Sequence, residues 1–153
     1  MNKITDKLTD LYNIKYNEGD LRPIHDAIGA IIEKNGKYLM MDHVKFNFWT
    51  IPIGKVEPQQ TVVQGLRQEL KEEINIIPVK YIEVGKFTKK YKRDKILVTV
   101  ISHVFKVDSW RGTIRNNEPK KHRSIKWMSK EEIIKLKKAK KVSDNVIESL
   151  KWM

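Results

Sequence analysis

Three glutamates crowd into one short run of the chain, Gln68-Glu69-Leu70-Lys71-Glu72-Glu73. On a helix advancing about 100° per residue, Glu72 and Glu73 fall within roughly 60° of Glu69 on either side, so the three acids share one face. Like charges at that spacing repel by about a few tenths of a kcal/mol per pair in an isolated helix, and local folding offers nothing in return. A divalent cation removes the repulsion. Carboxylate oxygens suit hard ions such as Mg²⁺ or Mn²⁺, and Mg²⁺ in particular is usually shared between a few protein carboxylates and substrate phosphates. The competing reading is a solvated helix face, and the surrounding residues decide between them.

The element that must carry these acids is a helix over 60–74. Val62, Val63, Leu66, Leu70 and Ile74 recur at three-and-four spacing, the Gly54 turn and Pro58 precede the run, and the turn from Asn75 to Pro78 ends it. Upstream, residues 25–32 suit a buried strand. The Asn35-Gly36 pair predicts a tight hairpin returning through Tyr38-Leu39-Met40-Met41. Met40 and Met41 belong to the core on this reading, and Phe46, Phe48 and Trp49 to packing rather than base stacking. Downstream, 79–87 and 96–107 favour strands joined by an exposed basic tip at 88–95, and 109–112 reads as a turn. The triplet Ile125-Lys126-Trp127 is a further strand, and Ser129 with Glu132 forms a capping box that opens a helix. A last helix spans 143–152, with Val146, Ile147 and Leu150 facing inward.

A chain of 153 residues suits one domain with its own core, here 23–153 behind an N-terminal arm or short helix over 1–22. The absence of cysteine excludes disulfides, thiolate zinc sites and cysteine nucleophiles. The histidines show no ligand spacing. The N-terminus has no apolar signal region and no run approaches a membrane span, so the expectation is a cytoplasmic protein with no membrane partner. The formal charge of +12 concentrates polyanions, which admits both free nucleotides and RNA. The lysine- and arginine-rich tip at 88–95 is the candidate RNA contact. Oligomeric state, including a homodimer, is left open.

The run from Ile51 to Ile76 resembles the Nudix box, G-x5-E-x7-R-E-U-x-E-E-x-G-U with U aliphatic. With Gly54 on the first glycine, Glu69, Leu70, Glu72, Glu73 and Ile76 occupy matching positions, and Lys55-Val56-Glu57-Pro58 matches the wording of such loops. Gln60 stands where the family has its first glutamate, Gln68 where it has arginine, Asn75 where it has the second glycine, and Ile53 where a glycine usually precedes Gly54. A neutral hydrogen bond between the two glutamines can take the place of the family's ion pair. Asparagine is the non-glycine residue best suited to a left-handed helix end. A second stretch, Asn116-Asn117-Glu118-Pro119-Lys120-Lys121-His122, resembles a loop found after the central strands of nucleotide-cleaving members.

The resemblance implies an α/β/α sandwich around a mixed β-sheet. It also implies a Mg²⁺- or Mn²⁺-dependent hydrolase of a nucleoside diphosphate linked to another group, with a nucleoside triphosphate as the leading substrate. It places the metal on Gly54, Glu69, Glu72 and Glu73, and sets Lys55 to meet phosphate oxygen. By the same resemblance Asn116 or its loop lies near the substrate, as does Glu118, which supplies a further carboxylate to the metal site or acts as base. The catalytic candidates are Glu69, Glu73 and Glu118, with the proton acceptor open between Glu69 and Glu118. Two alternatives accompany this reading: trimming of RNA 5′-phosphates, and a silenced Nudix fold that senses nucleotides or RNA.

Overall fold

The computed structural model describes residues 22–93 and 96–153. The expected N-terminal arm therefore lies outside the described residues, apart from Arg22. Among them, the strands are β1 (Ile24–Lys34), β2 (Lys37–His43), β3 (Phe48–Thr50), β4 (Ile53–Lys55), β5 (Ile77–Arg93), β6 (Ile96–Arg111) and β7 (His122–Ser129). The helices are α1 (Val62–Ile74), α2 (Lys130–Lys138) and α3 (Asp144–Ser149), the last running into a 3₁₀ turn over Leu150–Trp152.

The sheet runs β3-β2-β1-β6-β5, with β4 paired to β1 and β7 to β2. β1 and β6 are parallel, from Ile24 opposite Thr99 to Ile32 opposite Val107, and the other pairings are antiparallel, so the sheet is mixed. β1 is buried almost throughout because its alternating side chains feed two cores. Ile28, Ala30 and Ile32 pack with Leu66, Leu70 and Ile74 of α1. Ile31 packs on the opposite face with Ile133 of α2 and Val146 of α3. This is the α/β/α sandwich the sequence predicts.

The β1–β2 hairpin turns where expected, with Asn35 at φ 53° and Gly36 at φ 75°, the paired left-handed conformations of a type I′ turn. Met40 and Met41 are fully buried, and Phe46 packs against His43 and Phe48.

Three expectations need correction. The basic segment 88–95 is not a loop: strand pairing continues from Thr88–Ile101 to Arg93–Ile96, and residues 94–95 lie outside the described residues. Ser109, Trp110 and Arg111 are not a turn but the end of β6, paired with Lys80, Pro78 and Ile77; the chain leaves the strand at Gly112, at φ 97°. Ile147 faces outward at 40% exposure, because α3 is too short to wrap a stripe and only Val146 of its aliphatic pair enters the core.

Candidate active site

The site is built where β4, the loop behind it and α1 meet. Thr61 caps α1: its side chain accepts from the Gln64 backbone N–H at 3.1 Å, while Gln64 Oε1 accepts from the Thr61 N–H at 2.8 Å. This capping box fixes the helix start at Val62, two residues after the expected boundary. At the other end Asn75 is left-handed, at φ 65° and ψ 34°, so it performs the task of the family's glycine.

Between these caps α1 turns two of its three acids inward. Glu69 and Glu73 are 3% and 4% exposed, as buried as the aliphatic residues beside them, whereas Glu72 is exposed. The side chain of Glu69 lies against Gly54 of β4. A β-carbon at position 54 would overlap its carboxyl group, so that glycine is required by contact, not by backbone angle. Lys55, next in β4, is likewise buried at 3%. Charged side chains are almost never buried this deeply unless they are paired or bind a metal.

The loop after β6 closes on the C-terminal turn of α1. Arg115 N–H donates to the Ile74 carbonyl at 3.1 Å, and Asn117 N–H to the Glu73 carbonyl at 3.0 Å; the Asn117 side chain reaches the Lys71 carbonyl at 3.3 Å. Glu118 is thereby held next to the glutamate-bearing turn. Its carboxylate pairs with Lys121 at 2.7 Å. Asn116 spends its amide inside this loop, donating to the His122 carbonyl at 2.7 Å and accepting from the Glu118 N–H at 3.1 Å. It shapes the turn that carries Glu118. Two motifs more than 40 residues apart in the chain thus converge on one helix end.

Sequence reasoning missed Asn117 as the tie between the two motifs, and Lys121 as the partner of Glu118. The i,i+3 spacing in Glu118-Pro119-Lys120-Lys121 carried a signal for the second. Arg22, whose guanidinium donates to the Val56 carbonyl at 3.2 Å, fastens the chain before β1 to the box loop.

A hard cation fits this donor set in kind: buried carboxylates on α1, beside a strand kept bare at Gly54. Among the described residues, no three carboxylate or imidazole groups stand close enough to enclose an ion as positioned. Glu72 Oε1 accepts from Gln68 Nε2 at 2.8 Å.

Behind the Glu118 turn, His43 and His122 meet edge to face at 5.6 Å, both buried. Burial, then the neighbouring His122, Lys121 and Lys45, lower the His43 pKa to about 4, against a smaller opposing effect of Asp42. His43 therefore stays neutral and accepts from the Phe46 N–H at 3.5 Å.

Comparison with known proteins agrees with this architecture. The family model described as NUDIX domain matches residues 23–150. The CTP pyrophosphohydrolase of Escherichia coli is 29% identical over 113 residues, covering 71% of this chain and 78% of that one. An 8-oxo-dGTP diphosphatase of Buchnera aphidicola is 29% identical over 97 residues, covering 60% and 68%. Among solved structures, the E. coli ORF135 protein superposes with a TM-score of 0.65 at 25% identity, covering 84% of this chain and 86% of that one. A MutT NUDIX hydrolase from Burkholderia pseudomallei superposes with a TM-score of 0.61 at 20% identity, covering 71% and 84%. These matches define the class, hydrolases acting on pyrophosphate bonds. The chain belongs to the Nudix family.

Proposed function

We propose that this protein hydrolyses a phosphoanhydride bond of a nucleoside triphosphate, with Mg²⁺ or Mn²⁺ held by Glu69, Glu72, Glu73 and the Gly54 carbonyl. The observation that carries the reading is the pair of buried glutamates of α1, one of them lying on Gly54. The pyrophosphohydrolases among the relatives support the same chemistry.

When bound, such an ion supplies charge neutralisation for the diphosphate and acidifies water for attack at phosphorus. The chain's own residues do the rest. Lys55, buried in β4 next to Gly54, is the cation that would meet phosphate oxygen once substrate binds. Glu69 and Glu118 are the two candidate proton acceptors, and their surroundings differ: Glu69 is enclosed against β4, whereas Glu118 is paired with Lys121. Asn116 holds the Glu118 turn in register and so borders the substrate through that loop.

The net charge of +12 and the exposed Lys90 and Lys92 on β5 favour a second reading, in which the triphosphate is the 5′ end of an RNA. A nucleotide or RNA sensor without turnover is less favoured, because a binder has little need of two buried glutamates on one helix face.

The test is product release from nucleoside triphosphates, nucleotide sugars and 5′-triphosphate RNA with Mg²⁺ or Mn²⁺. Salt-insensitive turnover of mononucleotides selects the first reading, and RNA turnover falling steeply with salt selects the second. Nucleotide binding without product would select the sensor.

A further inference from the structure

Gln60 and Gln68, the two residues that depart from the family's charged positions, are joined in a directed chain of hydrogen bonds. The Glu57 backbone N–H donates to Gln60 Oε1 at 3.0 Å. Gln60 Nε2 donates to Gln68 Oε1, and Gln68 Nε2 donates to Glu72 Oε1 at 2.8 Å. The chain starts at a group that can only donate and ends at a carboxylate that, ionised, can only accept. Those two ends fix the orientation of both amides, and each glutamine uses both ends of its amide group.

We propose that Gln60 and Gln68 are positioning residues that aim the Glu72 carboxylate, linking its direction to the backbone of the box loop; this rests on the reading of Glu72 as a metal ligand. Two neutral amides stand where the family has glutamate and arginine, and the hydrogen bond between them joins the two positions. A glutamate at position 60 alone cannot donate, so Gln68 would have to turn its Nε2 toward it and present Oε1 to Glu72. An arginine at 68 donates in both directions, which is why the charged pair is the alternative solution. Ordinary surface contact between polar side chains is the competing account. It would give small and independent effects.

The experiment titrates metal-free full-length protein with Mn²⁺ alone and follows the free ion by electron paramagnetic resonance. Gln68→Met should raise the dissociation constant about tenfold, the lower end of what losing a partner that orients a metal ligand costs. Gln60→Met should raise it by about threefold, and should add nothing in the Gln68→Met background, where the chain is already cut. Gln60→Glu with Gln68→Arg should restore it to within about threefold of the parent. Unchanged binding in Gln68→Met, additive losses in the double methionine variant, or failure of the charged pair to restore binding would each overturn the proposal. A Glu73→Gln control separates the levels. If it weakens Mn²⁺ binding while the glutamine variants do not, the positioning role fails and the metal reading stands; if it changes nothing, both fall.

Discussion

Helices α1 and α2 begin with the same device and hold opposite contents. Thr61 with Gln64 and Ser129 with Glu132 are both complete capping boxes, so each helix start is dictated by the same local chemistry. After that α2 follows the rules of a stabilising helix. It has Glu131 and Glu132 in the first turn, and Lys135, Lys137 and Lys138 in the last, complementing the helix dipole at both ends. The Ser129 backbone N–H even lowers the Glu132 pKa by hydrogen bonding the charged carboxylate. α1 runs the other way. It has no acid in its first turn, and its three glutamates sit in the C-terminal half, where the dipole opposes them and two of them are buried. A sequence that obeys local rules at its caps and violates them at its centre marks where function sets the residues.

That contrast can be broken most sharply by removing one carboxyl charge from each helix. Glu69→Gln should lower turnover on the order of 10³-fold if Glu69 takes the proton. Glu131→Gln should leave it within about twofold; equal effects in a steady-state assay would erase the distinction. Gly54→Ala tests the same helix from the strand side. The added methyl displaces the Glu69 carboxyl and should reduce kcat/KM on the order of 100-fold, with circular dichroism unchanged.

His43, at the end of β2, acts on stability. Folded, it remains neutral down to about pH 4, whereas an unfolded chain protonates it near 6.5. The unfolded state thus binds more protons across that window, so stability falls as pH drops from about 6.5 to about 4, by on the order of 3 kcal/mol. Urea melts of the parent and of His43→Gln at pH 7 and pH 5 check this: the parent should lose more stability than the variant.

The smallest effect is the most discriminating for the caps. Thr61→Ala and Ser129→Ala should each cost about 1 kcal/mol by thermal melting. Only Thr61→Ala should also lower turnover, because its helix carries the site.

Much of this was legible before the fold. The Asn35-Gly36 turn, the aliphatic spacing of α1, the Ser129 cap and the left-handed Asn75 all rest on interactions within a few residues, and local sequence encodes those. What was not legible depends on distant partners. The strand residues 88–93 look like an exposed basic loop until β6 is seen to pair with them, and Ser109 to Arg111 look like a turn until β5 does. The helical wheel put three glutamates on one face, but it could not say that Glu69 lies buried on Gly54, that Glu73 is buried and that Glu72 stays outside. Asn116 was expected, itself or through its loop, near the substrate; spacing could not say that its amide is engaged within that loop. Polar side chains of loops are assigned by their neighbours in space, which spacing does not give.

On the proposed function, the buried acids of α1 make a metal-dependent catalytic site. The most direct measurement is nucleoside triphosphate turnover by parent and Glu73→Gln proteins, with Mg²⁺, Mn²⁺ or a chelator. Product should require the metal and be lost in the variant while its thermal melt stays cooperative. Turnover that survives in Glu73→Gln at near-parental rates would contradict it.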